Sequence, residues 1–226
     1  MTQSLKIIKK GPKRDATASK RRILQAALNE FSRYGHAGAR MDSIAEAADV
    51  SKPMIYNYFG DKEELYKAAL RESYVQIRRG EQKLQIGDLE PEAGIRELVS
   101  FTMNHFVSKP WFISMLNTEN LLGGDAIRQI GDADAIQSPL IDGIGKLLQK
   151  GANAGLFRDD IDPVELYITI ASLCYFPVSN QHTLRAVFKV PIDAPWRAQR
   201  IEMISDMVLQ YLRSSPSPKH DQTRKL

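Results

Sequence analysis

Residues 41–66 read MDSIAEAADVSKPMIYNYFGDKEELY. Met41, Ile44, Ala45 and Ala48 recur at helical spacing, Asp49 and Val50 break the period, and a second short helix resumes over Lys52 to Tyr58. Ser51 is placed to cap that helix, and Pro53 is acceptable there because first-turn amides have no intrahelical partner to lose. Asp61 followed by Glu64 forms a capping-box pattern that starts a longer helix reaching about Lys83. Upstream, Ile23, Leu24, Ala27, Leu28 and Phe31 mark a helix from Thr17, and Gly35 is expected to close it in the left-handed region before the loop His36 to Ala39. Two short helices across a tight bend, with Ala45 and Val50 apolar around it, are what a helix-turn-helix requires to put its second helix into a major groove. Ile44, Ala45, Ala48, Val50, Ile55 and Phe59 are read as its core. Tyr56 fits either a phosphate contact or packing, and Met54 fits either a thymine methyl or simple filling of space.

From Thr17 to Leu70, with ILQAALNEF and the 41–66 stretch, the sequence closely resembles the DNA-binding region of the TetR family of bacterial regulators. The resemblance implies that Ser51 to Phe59 is the helix that enters the major groove. It places Ser51, Lys52, Pro53, Met54 and Asn57 at groove-facing or backbone-facing positions, and Tyr56 and Tyr58 at phosphates. Lys62, at the positive start of the next helix, matches a phosphate contact supported by helix-end amides. Arg40 and Ser43 are further DNA-contact candidates. Two residues depart from the family pattern. Asp49 stands where glycine is frequent, and Asp is among the few residues that tolerate a left-handed backbone. Tyr58 stands where histidine is frequent; it can donate a hydrogen bond but carries no charge.

The net charge of +4 conceals a division along the chain. Residues 1–83 hold 17 Lys and Arg against 10 Asp and Glu, and the rest holds 14 against 17. Lys6, Lys9, Lys10, Lys13, Arg14, Lys20, Arg21 and Arg22, opposed only by Asp15, form a basic arm over residues 1–16 that runs into the first helix. Such an arm suits a phosphate backbone or serves only as a solubilising terminus; a third reading is an anionic membrane surface. The 226 residues fall within one large or two small domains, and the longest nearly apolar run, Ile168 to Val178, is far short of a membrane span. No secretion signal is read at the start, and one cysteine, Cys174, excludes an internal disulfide. A cytoplasmic location is expected.

The rest of the chain, residues 84–213, reads as an α-bundle, with 214–226 a polar tail. Helices are expected from Pro91, across Trp111 to about Leu122, over Ser138 to Ala152, from Pro163 behind an Asp162 cap, and from about Pro195 to Arg213; His182 is expected on a loop after Pro177. No segment alternates with period two, so the fold class is all-α: an N-terminal three-helix DNA-binding unit, residues 17–83, then a helical effector-binding and dimerisation domain. The two late helices carry more apolar surface than one chain can cover, and a homodimer is expected. A small-molecule effector site is expected among polar groups set in apolar stretches: His105, Asn117, Glu119, Asn120 and Asn180. Its walls would come from Trp111, Phe112, Met115, Tyr167, Cys174, Tyr175 and Phe176. The four histidines have no metalloprotease spacing, no nucleophile elbow is present, and the Gly143, Gly145, Lys146 pattern is an incomplete phosphate loop. No cofactor or catalysis is expected. The sequence therefore points to a dimeric repressor of operator DNA released by an effector; a constitutive architectural DNA-binding protein is the alternative.

Overall fold

The computed structural model describes residues 13–130 and 140–213, with side chains from Ala16 onward. Most of the basic arm, the start of the helix expected at Ser138, and the polar tail with His220 lie outside the described residues. Among the described residues every regular element is helical. The helices are α1 (Lys13–Gly38), α2 (Met41–Ala47), α3 (Lys52–Phe59), α4 (Lys62–Leu84), α5 (Pro91–Ser108), α6 (Pro110–Leu121) and α7 (Asp125–Arg128). They continue as α8 (Leu140–Asn153), α9 (Pro163–Ser179), α10 (Gln181–Phe188) and α11 (Ala194–Arg213), with one 3₁₀ turn over Ile86–Asp88. No helix is long and apolar enough to cross a membrane.

The described residues form two compact units, one of 13–73 with 115–130 and the other of 74–114 with 140–213. In the first, α1 packs on α2 and α2 on α3. Ile23, Leu28, Phe31, Ile44, Ile55 and Leu65 are fully buried, which is the apolar stripe read from the sequence closing on itself. Ala45 and Ala48 are buried as expected, while Val50 and Phe59 are half-buried. The bend between α2 and α3 turns through Asp49 at φ +52°, the left-handed conformation that a short polar side chain tolerates.

Three local expectations are corrected. α1 begins at Lys13, ahead of Thr17; Gly35 at φ +65° breaks the helix there as expected, but His36 to Gly38 beyond the break are helical rather than loop. Ser51 stands at the N-cap of α3 in extended conformation but makes no side-chain capping bond. Asp61 does cap α4, its Oδ1 accepting from the Glu64 amide at 2.9 Å.

In the second unit α5 is central, packing on α8, α9 and α11. Its Ile95, Leu98, Val99 and Met103 are fully buried, together with Ile144 and Leu147 of α8 and Ile170 of α9. Close approach requires glycine at position 94, where an added Cβ would lie 2.6 Å from Leu147 Cδ1. Asp162 caps α9 by accepting from the Val164 and Glu165 amides at 2.8 and 2.9 Å. α9 runs through Pro177 to Ser179, and His182 lies in α10 rather than on a loop. Arg96 of α5 ties α11 through Glu202 at 3.0 Å and Asp206 at 2.7 Å.

Candidate nucleic-acid interface and effector site

α3 has one buried face and one open face. Ile55 is 0% exposed and anchors the helix, which leaves Met54 and Tyr56 as exposed large side chains, with Ser51, Pro53 and Asn57 also exposed. Tyr58 is half-buried, and the Lys20 ammonium lies 5.4 Å from its ring centroid. The bend is fixed from α1, where Arg22 Nε donates to the Ala48 carbonyl at 3.0 Å. Lys62, the first residue of α4, donates through Nζ to the Ala37 carbonyl at 3.2 Å. Arg40 and Ser43 sit at the start of α2, Arg40 exposed and its amide held by Glu30 Oε1 at 3.0 Å.

The structure thus brings the ten predicted DNA-contact residues together on α2, α3 and the start of α4. Sequence reasoning missed a carboxylate among them. Asp42 on α2 lies 3.0 Å from Lys52 Nζ, and this pairing raises the Lys52 pKa. His36 packs between Phe31 and Tyr66, at 6.1 and 5.2 Å between ring centroids.

The residues expected to form an effector site divide between the units. Met115, Asn117, Glu119 and Asn120 belong to the first. Asn117 and Asn120 are exposed, and Asn120 donates to the Leu116 carbonyl at 2.8 Å. Glu119 is buried and bonded: Tyr66 donates its hydroxyl at 3.3 Å and the Ile127 amide donates at 3.0 Å.

His105, Trp111, Phe112, Tyr167, Cys174, Tyr175, Phe176 and Asn180 belong to the second unit. Here His105 is buried among rings, with centroids of Phe101, Phe106 and Phe112 at 5.7, 6.4 and 5.5 Å. Tyr74, Trp111 and Tyr175 extend the cluster, Tyr74 and Trp111 at 5.9 and 6.4 Å from Phe112, Tyr175 at 6.2 Å from Phe106. His105 Nε2 has no hydrogen-bond partner among the described residues. Burial, with Lys109 and Arg78 adding repulsion, pulls its pKa down to about 4, so the imidazole is neutral near pH 7.

Arg78 on α4 forms an ion pair with Glu81 at 2.5 Å, and Tyr167 hydrogen-bonds to the same guanidinium. Burial raises the Tyr167 pKa, with Arg78 opposing, so that hydroxyl stays protonated. The sequence reading missed Arg78 and Glu81. Their signal was an Arg and a Glu three apart around Gly80, a mid-helix glycine over which Phe101 packs so closely that an added Cβ would lie 2.8 Å from its Cζ.

Cys174 is fully buried, its thiol pushed up to about 12 by burial, which makes it a poor nucleophile. Phe176 is exposed, and Asn180 donates to the Phe176 carbonyl at 3.1 Å. No group of side chains suited to a metal ion occurs among the described residues.

Family comparison matches residues 23–69 to "Bacterial regulatory proteins, tetR family" and residues 91–208 to "Tetracyclin repressor-like, C-terminal domain". The chain belongs to the TetR family. A TetR-family relative, the HTH-type transcriptional repressor NicS of Pseudomonas putida, is 38% identical over 192 residues, covering 84% of this chain and 91% of NicS. The HTH-type transcriptional regulator RutR of Escherichia coli is 33% identical over 203 residues, covering 88% of this chain and 93% of RutR. A solved TetR-family regulator from Mesorhizobium loti shares the fold at a TM-score of 0.63 and 20% identity, covering 87% of this chain and 96% of its own. The family and these relatives are transcriptional regulators rather than enzymes, and DNA-binding regulation is the role of this chain.

Proposed function

We propose that two copies of the chain form a repressor that grips a two-fold symmetric operator and lets go when a small molecule occupies the second unit. The observation that carries the DNA-binding half is the open face of α3, where Met54, Tyr56 and Asn57 project over a fully buried Ile55. One eight-residue helix spans only a few base pairs, so a two-fold pair reading half-sites about 34 to 36 Å apart supplies the missing specificity. Val164, Ile168 and Phe176 on α9, and Met203, Met207 and Tyr211 on α11, are exposed at multiples of four residues. These rows lie on packed neighbours, and a second copy is their occupant: together the four helices make a bundle. The names of NicS as a repressor and RutR as a regulator support control of transcription. The protein acts where the chromosome lies, in the bacterial cytoplasm.

The effector contacts are His105 Nε2, which lacks a partner among the described residues, the Arg78, Glu81 and Tyr167 cluster, and the walls Trp111, Phe112 and Tyr175. A ligand that meets these groups better in the DNA-free arrangement shifts the population off the operator by its difference in affinity for the two states.

The test is a salt-controlled titration of the purified protein on DNA flanking its own gene, with an unrelated duplex of equal length and a Tyr56→Ala variant. Tight binding to the flanking DNA alone, weakened about ten- to a hundredfold in the variant, supports the assignment of α3. Equal affinity for both duplexes, confirmed on sequences selected from random DNA, replaces the repressor with an architectural protein.

A further inference from the structure

The helix-turn-helix carries an unexpected charge balance. Residues 40–62 hold three Lys and Arg against four Asp and Glu, whereas residues 6–22 hold eight against one. General attraction to phosphate therefore falls to the chain before α2, and the DNA-contact helices are net acidic. Within them Lys52, the first residue of α3, has Nζ 3.0 and 3.2 Å from the two carboxylate oxygens of Asp42. Asp42 is the second residue of α2 and is exposed. An acid in the first turn complements the dipole of α2, but that role needs no contact with α3. Glu46, one turn further along α2 and also exposed, makes no such contact.

We infer that Asp42 is a specificity-determining residue acting through Lys52: it withholds one positive charge from phosphate backbones in general and yields it where an operator offers Lys52 a better acceptor. An exposed ion pair is weak enough to be exchanged for a well-placed DNA oxygen. While it holds, Lys52 displaces no counterion, so non-specific binding is weaker and less salt-dependent than the lysine count implies. This rests on the proposed placement of α3 in the major groove.

The experiment measures affinity for the operator and for an unrelated duplex over about 50 to 300 mM salt. It compares wild type with Asp42→Asn, Asp42→Glu, Glu46→Gln and Lys52→Gln, with thermal melting confirming that each is folded. Asp42→Asn should bind the unrelated duplex about tenfold tighter at low salt, with a log–log salt slope steeper by about one, and the operator less than about threefold tighter. Asp42→Glu should behave as wild type, and Glu46→Gln should leave both slopes in place. Lys52→Gln should weaken operator binding more than unrelated binding. The inference is overturned if Asp42→Asn matches Glu46→Gln, if both duplexes gain equally, or if the slope does not move. Should wild type bind neither duplex, or Lys52→Gln and Tyr56→Ala both behave as wild type, the placement of α3 fails first, and the role of Asp42 with it.

Discussion

The two units treat their apolar and polar groups in opposite ways. In the first unit Ile23, Phe31, Ile44, Ile55 and Leu65 close a core, and the apolar tips left outside are scattered, apart from the adjoining Leu121 and Leu122. Its buried carboxylate, Glu119, accepts from two donors. In the second unit α9 and α11 expose apolar rows, and the imidazole of His105 is buried with a nitrogen that meets no partner among the described residues. The buried His36 nitrogen of the first unit has Glu63 Oε2 3.2 Å away, so a unit that meets most of its needs internally stands against one that leaves apolar rows exposed and a ring nitrogen without a partner among the described residues. The DNA-contact head is the former and the bundle the latter.

The strongest challenge to that contrast is Met207→Asp, which puts a charge in the middle of the exposed α11 row. We expect monomers by sedimentation and a loss of operator affinity of about a hundredfold or more, because two linked half-site contacts become one. Helicity by circular dichroism should be unchanged, since Met207 is exposed in the single chain. A dimer that persists at full affinity would remove the rows as the interface. Comparable in size is Phe31→Ala, which truncates a 1%-exposed ring packed edge-on to Tyr66 at 5.1 Å. The expected loss is about 3 to 5 kcal/mol by urea denaturation. A loss below about 1 kcal/mol would mean that the first unit is looser than its burial indicates.

His105 gives a pH signature to the second unit. Its folded pKa of about 4 lies below the ordinary 6.5, so between these values the unfolded chain binds more protons than the folded one. Stability is therefore complete above about pH 6.5 and falls as pH drops toward 4, by about 2 to 3 kcal/mol from this group. His105→Leu should flatten that part of the pH profile in thermal melts, and a slope unchanged by the substitution would assign it to other groups. The smallest effects contrast two caps: Asp162→Ala should cost about 1 kcal/mol, and Ser51→Ala, which breaks no capping bond, less than about 0.5 kcal/mol. Equal losses would show that Ser51 caps α3 in solution.

The helices of the first unit were legible because their signals are local. The spacing of Ile44, Ala48 and Ile55, the Asp61 cap and the Asp49 bend each act within a few residues. What was lost depended on distance or on the absence of burial. α10 has no buried residue, so Leu184, Val187 and Phe188 give no stripe matched to a core and His182 is expected on a loop, while α9 continues for two residues beyond Pro177. Glu119 was placed with the effector candidates because its neighbours Leu116 and Leu121 are apolar; its partners are the Tyr66 hydroxyl, 53 positions earlier, and the Ile127 amide on α7. Arg78 and Glu81 read as ordinary surface charges because nothing nearby in sequence announces Tyr167.

The bond between Tyr66 and Glu119 also bears on how the protein is made. Residues 115–130 belong to the same compact unit as α1, α2 and α3. On the ribosome, then, the N-terminal helices emerge before the segment that completes their unit, and the long-range contact waits for the chain beyond Glu119. An expressed fragment ending near Ser73 would lack that segment and its Glu119 acceptor, so a truncated DNA-binding head should be a poorer folder than the buried core of α1, α2 and α3 suggests.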